Sequence, residues 1–284
     1  MKFFQIIVLI FNSLIGFSQV DLFFPINKDF DWESIEKQNQ ELKKQFIKNH
    51  PNEFKQYRHN TEYTPTISDL ERCLHIIDFN GDGLDDIIFD GQSDAEPREI
   101  IVFINTGKSF TKIFTGYQEI HKIVFLDGKV HRLCIRDGGC CCDYTGTNKI
   151  YSVDYSVKLP KINQVSQMEY IYTLEYPSSY FDKPIKFKVL NDKYNIRFSP
   201  IIDDITEVWY CGEPEIGNSL GKIQSGSIGY ALAEKADLTG RIWWYVALNP
   251  NSKIVESLYS DEKDKPNCYK LGWISSRFVK EIIE

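Results

Sequence analysis

The most informative stretch of this chain runs Asp78-Phe79-Asn80-Gly81-Asp82-Gly83-Leu84-Asp85-Asp86-Ile87-Ile88-Phe89. Oxygen-bearing side chains recur there at alternate positions, and the peptide carbonyl of Leu84 falls in the same alternation. Calcium takes about six to eight oxygen ligands, and a loop that supplies them alternately can wrap one ion only if it turns sharply near its middle. Gly83 permits that turn. The stretch therefore predicts a calcium loop with five ligands: Asp78, Asn80, Asp82, Leu84 and Asp86.

The loop is flanked by short, β-branched, apolar segments at residues 73–77 and 87–89, which predict a strand on each side. An EF-hand would instead need two helices and a bidentate Glu where this chain has Phe89. The stretch resembles the calcium loops of FG-GAP or VCBS repeats, D-x-N-x-D-G-x-x-D followed by an apolar strand. Residues 102–110 resemble the strand and N-x-G turn that close such a repeat. The resemblance covers residues 74–114, and it implies one copy of a unit that usually forms propeller blades.

A plain turn between two strands is the alternative interpretation of the loop, because Asp, Asn and Gly all favour turns. Strict alternation of oxygen-bearing side chains is rare in such turns, and it favours metal binding. Every candidate ligand is an oxygen, which favours Ca²⁺. We expect this ion to have a structural role, since five protein ligands leave little open coordination and the loop has no nucleophile cluster beside it.

The N-terminus has the pattern of an export signal. Met1-Lys2 precedes an apolar run that ends in the small-x-small sequence Gly16-Phe17-Ser18, as in a secretory signal peptide cleaved before Gln19. A membrane span is the alternative, but the run is shorter than the roughly 20 apolar residues that a bilayer needs. We therefore predict an exported protein, periplasmic or extracellular, with no membrane span in the mature chain.

Length limits the number of domains, and net charge limits the classes of partner. The chain has 284 residues, 42% of them hydrophobic, and domains commonly hold about 100 to 200 residues. The formal charge of -7 argues against nucleic acid or an anionic membrane surface as a partner, since both attract basic proteins. The predicted divisions are a signal peptide at 1–18, an N-terminal helical segment with a connection at 19–66, an antiparallel β domain at 67–183 and a C-terminal domain at 184–284.

Local patterns predict one helix and many strands. Helical periodicity is convincing at residues 31–50, and Pro51 marks its end. From 67 to 180 the pattern changes to short strands separated by turns, notably at residues 105–108 and at Asp127-Gly128.

The last hundred residues carry four motifs in order: N-I-R-x-x-P at 195–200, G-x-I-x-x-G at 221–226, W-x-x-V at 243–246 and G-W-I-x-x-x-F-V at 272–279. Together they resemble bacterial SH3-like domains. The resemblance implies a small β-barrel, and the predicted fold class is therefore mainly β: an N-terminal helix, an antiparallel β domain with one calcium-type loop, and an SH3-like barrel. The chain departs from the family in a segment at 209–212 and in a polar insertion at 249–270.

The seven cysteines raise the question of disulfides. Three are consecutive, and they lack the C-x-x-C spacing of a zinc site, whereas export favours disulfides. Cys134 is a candidate to bond one of the three, and Cys211 with Cys268 is a candidate pair that would join the two insertions. A free structural thiol and a catalytic or metal-binding thiol are the alternatives. The candidate disulfide residues are Cys134, Cys140, Cys141, Cys142, Cys211 and Cys268.

The SH3-like resemblance implies binding, commonly of cell-wall peptides or polypeptide ligands through an aromatic groove. The candidate ligand-binding aromatics are Tyr194, Trp243, Trp244, Tyr245 and Trp273. The sequence also offers Trp209, in the segment at 209–212 where the chain departs from the family. In a strand, Trp243 and Tyr245 face one side and Trp244 the other, so at least one large aromatic is exposed or covers an edge. The alternative is that all of them pack in the core or rim of the barrel.

Two classes of function remain open. The first is an exported, non-enzymatic binding protein whose calcium-stapled β domain presents an SH3-like module to a cell-envelope peptide or protein. The second is a cell-envelope hydrolase of the Cys/His type, or its accessory subunit, with Cys73 and His75 on one face of a predicted strand. The metalloprotease signature H-E-x-x-H is absent from the sequence, which favours binding.

Overall fold

The computed structural model confirms the mainly-β class. Strands hold 51% of the described residues and helices 10%. The described residues are 31–54, 67–92, 98–138, 144–210, 213–260 and 267–283. The predicted signal peptide and the predictions for Cys140, Cys141, Cys142 and Cys211 lie outside them. No helix in the described part of the chain combines the length and apolar character needed to cross a membrane.

The N-terminal helix is shorter than predicted. Asp31 caps a short 3-10 helix at Trp32–Ser34, and the α-helix α1 (Gln40–Asn49) begins only after Asn39, whose side chain accepts a hydrogen bond from the Leu42 amide. Between the two, the Lys37 amide donates to the carbonyl of Ile76 at 2.7 Å. The prediction of one continuous helix over residues 31–50 was wrong because this segment bonds to a strand instead of to itself. A second helix, α2, spans Ile67–Arg72.

The first sheet contains the loop and has four antiparallel strands in chain order: β1 (Leu74–Ile77), β2 (Asp86–Gln92), β3 (Arg98–Asn105) and β4 (Phe110–Tyr117). β1 and β2 pair on the two sides of the loop, from Ile77 opposite Asp86 to Leu74 opposite Phe89. Alternate residues face opposite sides of the sheet, so one face packs on α1 and the other on the second sheet. The predicted strand, loop and strand are confirmed.

The second sheet is long and begins with a meander of four strands: β5 (Glu119–Leu126), β6 (Lys129–Asp137), β7 (Thr145–Asp154) and β8 (Lys161–Ile171). The predicted Asp127-Gly128 turn joins β5 to β6, and both of its residues have positive φ, 51° and 78°. This is the backbone that a two-residue hairpin requires.

The same sheet continues into the C-terminal part of the chain, in the order β18-β9-β14-β15-β17-β8-β7-β6-β5. These strands are β9 (Ile185–Val189), β14 (Ile228–Ala236), β15 (Ile242–Leu248), β17 (Tyr269–Ser275) and β18 (Val279–Glu281). β17 lies parallel to β8, with Tyr269 opposite Met168 and Lys270 opposite Glu169. The two regions that the sequence divided at residue 184 thus share a hydrogen-bonded sheet.

The remaining strands branch from this path or stand apart: β10 (Tyr194–Arg197), β11 (Glu207–Tyr210), β12 (Glu213–Ile216), β13 (Ser219–Ile223) and β16 (Ile254–Val255). β10 bridges β13 and β17, and β11 pairs with β12 alone. Within the described residues the strands do not close into the expected barrel. The edge of β17 is divided, because its first residues pair with β8 and Trp273 pairs with Arg197 of β10.

Candidate functional site

The loop between β1 and β2 folds around the carboxylate of Asp78. Its Oδ1 accepts hydrogen bonds from the amides of Gly81 at 2.8 Å and Asp82 at 3.1 Å, and its Oδ2 accepts one from Gly83 at 2.9 Å. Gly81 and Gly83 both have positive φ, 73° and 85°. Glycine adopts this conformation at little cost, which lets three successive amides point at one side chain.

The next candidate ligands continue the same arrangement. Oδ1 of Asn80 accepts from the Asp82 amide at 3.1 Å, and Oδ1 of Asp82 accepts from the Leu84 amide at 2.9 Å. The Asn80 amide group also donates to Oδ2 of Asp82 at 2.9 Å. These three residues lie on the outer side of the loop, and Asp82 and Leu84 are exposed. Solvent therefore reaches this side of the loop.

Asp86, the last candidate ligand, is fully buried. Its Oδ2 accepts from the Phe79 amide at 2.8 Å, and its Oδ1 accepts from the Asn105 amide at 2.7 Å. Burial raises the pKa of Asp86 to about 6, the two amides oppose that rise, and the negative charges of Asp82 and Asp78 add to it. The loop thus concentrates negative charge beside a carboxylate that is buried away from solvent.

The loop is also the junction between the two sheets. Phe79 is fully buried in the core between them, and its carbonyl accepts a hydrogen bond from the Val130 amide of β6 at 2.9 Å. The Tyr155 hydroxyl lies 2.6 Å from the carbonyl of Val130 and 3.0 Å from that of Phe79. On the outer side, Lys37 forms an ion pair with Asp85 at 2.8 Å. A ligand that stiffened this loop would therefore stiffen the contact between both sheets and the N-terminal segment.

The chemistry of these residues fits a hard cation: three carboxylates, an amide oxygen and a peptide carbonyl. Each carboxylate oxygen has two acceptor lone pairs, so Oδ2 of Asp78 and both oxygens of Asp86, with one amide each, keep capacity for a cation. The arrangement itself is not that of a loaded site. Among the described residues, no three His, Cys, Asp or Glu side chains are grouped as they are around a metal ion.

Three of the five candidate ligand-binding aromatics are in the core. Trp243, Tyr245 and Trp273 are fully buried in one apolar cluster under β15 and β17. The indole nitrogens have internal partners, since Trp243 donates to Oδ2 of Asp237 at 2.9 Å and Trp273 donates to the carbonyl of Glu175 at 2.7 Å. These three side chains therefore form no exposed platform, and the alternative interpretation of core packing applies to them.

The other two aromatics are partly buried. Trp244 lies on the opposite face of β15, as the alternation predicted, and packs against the cluster that contains Phe187. Tyr194 stacks on Phe278, with ring centroids 4.6 Å apart, and its hydroxyl accepts from the Ser275 amide at 3.3 Å. Both positions lie at the rim of the C-terminal region, where they contribute packing.

Among the described residues the exposed tryptophan is Trp209, on the hairpin of β11 and β12. Its side chain is 63% exposed, and Pro214 lies opposite it in the register. Ile216, 61% exposed, lies two residues along β12 on the same face, and Ile205, 87% exposed, precedes β11 in the same alternation. We call these four side chains the hairpin face. Val208, which points the other way, packs on the core.

Arg197 fixes the base of this hairpin. This buried arginine belongs to the N-I-R-x-x-P motif, and its Nη1 contacts Oδ1 of Asn218 at 2.6 Å, the carbonyl of Asp203 at 3.1 Å and Oδ1 of Asp204 at 2.8 Å. The amide of Gly217 donates to the carbonyl of Thr206 at 2.7 Å. The hairpin face is thus presented from an anchored base. Residues 205–216 show no clean apolar alternation, because Glu207 lies between Ile205 and Trp209 on the same face, so no local pattern indicated which face is covered.

The described cysteines are mostly interior. Cys134 is a free, fully buried thiol whose pKa burial raises to about 12, so the disulfide predicted for it is not formed in this structure. Its neighbours are apolar residues of the core under β8 and β15, which accounts for its burial. Cys268 is also buried, and its pairing with Cys211 stays a prediction because Cys211 lies outside the described residues.

Cys73 and His75 have separate environments. The Cys73 thiol packs over Gly91, where a Cβ atom would come within 2.9 Å of its sulfur, and burial raises its pKa. His75 stacks on Trp32 with ring centroids 3.8 Å apart, and its Nδ1 lies 2.8 Å from a carboxylate oxygen of Glu36. A thiol with a raised pKa stays protonated and is a poor nucleophile. This geometry gives no support to the Cys/His hydrolase.

No protein-family model, no curated protein and no solved structure matches this chain. Two features remain as candidates for function: the oxygen-rich loop, which can accept a hard cation, and the hairpin face, which exposes an apolar surface around an indole ring.

Proposed function

We propose that this protein is an exported, non-enzymatic binding protein, in which a calcium-stapled β region supports an SH3-like module that holds a cell-envelope peptide or protein. The observation that carries the proposal is the hairpin face, where Trp209 is 63% exposed beside Ile205, Pro214 and Ile216. Contiguous exposed apolar side chains mark interaction surfaces, and tryptophan is enriched among the residues that dominate binding energy.

The support of the hairpin suits a binding surface. Its base is tied to the core by Arg197 and Asn218, and Val208 packs inward. A surface that is already held in place loses little conformational freedom when a partner binds. The hairpin face therefore replaces Trp243, Tyr245 and Trp273 as the ligand surface in this proposal.

Calcium belongs to the proposal as a structural ion held by Asp78, Asn80, Asp82, the Leu84 carbonyl and Asp86. When bound, it would neutralise the carboxylates that converge on the loop. The convergence of like charges on the buried Asp86 supports this role, because an added cation removes their repulsion. The expected consequence is a stiffer junction between the two sheets, not a chemical reaction.

The binding proposal is tested by co-sedimentation of the protein with purified peptidoglycan sacculi. A parallel sample of sacculi whose stem peptides have been removed by an amidase separates peptide from glycan recognition. Trp209→Ala is expected to weaken binding by about tenfold or more, as for a central interface tryptophan. The matched control is Leu238→Ala, which removes a still more exposed apolar side chain outside the hairpin face. Unchanged binding of the tryptophan variant, or binding that survives loss of the stem peptides, would contradict the proposal for peptide ligands.

The calcium proposal is tested separately by calorimetric titration after chelation, with a melting curve in each state. Saturable binding and a higher melting temperature are expected for the unaltered protein. Asp82→Ala is expected to lower the melting temperature only when calcium is present. Equal losses with and without calcium would show that the loop is only a turn.

A further inference from the structure

Within the described residues, Arg136 is a cation without a counter-charge. It lies near the end of β6, half-buried, on the same face as Cys134 and so toward the core under β8 and β15. Among the described residues no carboxylate pairs with it. Its Nη2 donates to Nε2 of His121 at 2.9 Å, its guanidinium carbon lies 5.9 Å from the Tyr170 ring centroid, and its Nε is buried with no partner.

The side chains around it have unpaired polar atoms of their own. Asn148 lies opposite Arg136 in the register of β6 and β7, is 0% exposed, and has neither amide atom hydrogen-bonded within the described residues. The hydroxyls of Tyr176 and Tyr245 are likewise buried without partners in the described part of the chain. Their rings lie 6.1 Å apart, and Tyr176 lies 6.2 Å from Tyr170.

The side chains of Arg136, Asn148 and Tyr176 are close enough to interact electrostatically, so they belong to one cluster. Burial raises the pKa of Tyr176 to about 12, and the adjacent side chain of Asn148 and the positive charge of Arg136 oppose that rise. Gly146 makes room for the cluster, because a Cβ there would come within 2.4 Å of the Tyr170 hydroxyl. The tyrosine ring can lie across the sheet only because this residue has no side chain.

Leaving so many buried polar groups unpaired is costly. Each unpaired buried donor costs about 1 to 3 kcal/mol, and a desolvated cation costs more unless an opposite charge approaches it. Ordered water would satisfy the tyrosines and the asparagine but not the charge of Arg136. A guanidinium, an amide and two hydroxyls are all donors, and a carboxylate is the small planar anion that accepts from such a set.

We propose that Arg136, Asn148, Tyr176 and Tyr245 form a binding site for a single carboxylate group. The site lies in the core cluster under β8 and β15, whereas the hairpin of β11 and β12 packs through Val208 on another cluster, so this inference does not depend on the proposed function. The carboxylate comes either from a small free acid or from the end of a peptide. Arg136, which is only half-buried, marks the side from which solvent and ligand approach.

The first test is titration of the purified protein with sodium acetate at constant ionic strength, followed by calorimetry. Acetamide, which has the same shape without the charge, is expected not to bind. Arg136→Gln is expected to weaken acetate binding by about tenfold or more, since a charge-assisted contact is lost. The matched control is Arg241→Gln, because Arg241 also lies over an aromatic ring, 5.7 Å from that of Trp243, but away from this cluster. Absence of saturable acetate binding, or equal losses in both variants, would overturn the proposal.

A second variant keeps the proposal testable if Arg136→Gln fails to fold. Asn148→Asp places a carboxylate of the protein beside Arg136, so it is expected to raise the melting temperature and to abolish acetate binding. Wild-type acetate affinity in this variant would overturn the site. The two sources of the carboxylate are distinguished by comparing acetate with N-acetylalanine and with N-acetylalaninamide. Tighter binding of N-acetylalanine than of acetate indicates a peptide end, and the reverse order indicates a small free acid.

Discussion

The backbone amide of Asn105 donates a hydrogen bond of 2.7 Å to Oδ1 of Asp86. The bond joins the turn that follows β3 to the last residue of the oxygen-rich loop. The same turn is closed by the Asn105 side chain, which accepts from the Gly107 amide at 2.9 Å. The loop and the N-x-G turn, which the sequence places 19 positions apart, are therefore one structural unit.

Asp86→Ala is expected to destabilise this unit strongly. The change leaves the buried amide of Phe79 and the half-buried amide of Asn105 without acceptors, at about 1 to 3 kcal/mol each, so the free energy of unfolding falls by about 2 to 6 kcal/mol. Urea denaturation in the presence of a chelator measures the loss without any contribution from calcium. The control is Asp85→Ala, which removes a surface ion pair with Lys37 and costs about 1 kcal/mol or less. Similar losses in the two variants would contradict the role of Asp86.

Acid is expected to weaken the fold through His75. Burial lowers the pKa of His75 to about 4 from its ordinary 6.5, although the adjacent Glu36 opposes this. The unfolded chain then binds a proton between pH 6.5 and pH 4 that the folded chain does not bind. Stability is therefore full above pH 6.5, falls as the pH drops toward 4, and loses nothing more from this group below that, a total of about 3 kcal/mol.

The measurement for His75 is the free energy of unfolding at several values between pH 4 and pH 7. His75→Gln is expected to flatten the slope in that window, whereas His131→Gln is expected to leave it unchanged. If the two variants keep the same slope as the unaltered protein, the acid sensitivity has another source.

The stability of the pairing between β8 and β17 is expected to depend on Glu169. Its fully buried carboxylate accepts from the Ser260 amide at 2.9 Å and pairs with Lys270, its neighbour in the register. Glu169→Gln leaves the lysine uncompensated in a buried place, which costs about 3 to 5 kcal/mol. Glu175→Gln is the control, since its pair with Lys235 is exposed and contributes about 1 kcal/mol or less. Chemical denaturation compares them, and equal effects would show that Lys270 finds other compensation.

Two glycines with nearly the same backbone are expected to differ sharply when they are replaced by alanine. Gly217 has φ 80° and Gly128 has φ 78°, so in both variants the left-handed backbone lowers the free energy of unfolding by about 1 kcal/mol. At Gly217 a Cβ would also come within 2.5 Å of the carbonyl oxygen of Asp203, whereas at Gly128 it meets nothing within 4 Å. Gly217→Ala is therefore expected to lower the melting temperature well beyond Gly128→Ala. Matching melting temperatures would mean that the base of the hairpin can shift.

Features that depend on neighbouring residues were predicted well. The strands around residues 78–85, the turn at Asp127-Gly128 and the mainly-β class all followed from local composition and alternation, and the structure has them. The helix was predicted too long because periodicity gave no sign that Lys37 would bond to Ile76. Calcium binding and export stay predictions, since they concern an ion and a segment that the structure does not describe.

The tryptophans show most clearly the difference between what local sequence encodes and what tertiary contacts add. The sequence by itself determined that Trp243 and Trp244 face opposite sides of one strand, because side chains alternate along every strand. Only the tertiary structure decided that Trp243 is buried and Trp209 exposed. Alternation is a property of the local backbone, whereas burial depends on which distant segments cover each face. The pairing of β8 with β17, about a hundred positions away, brings those segments together, and no local pattern encodes it.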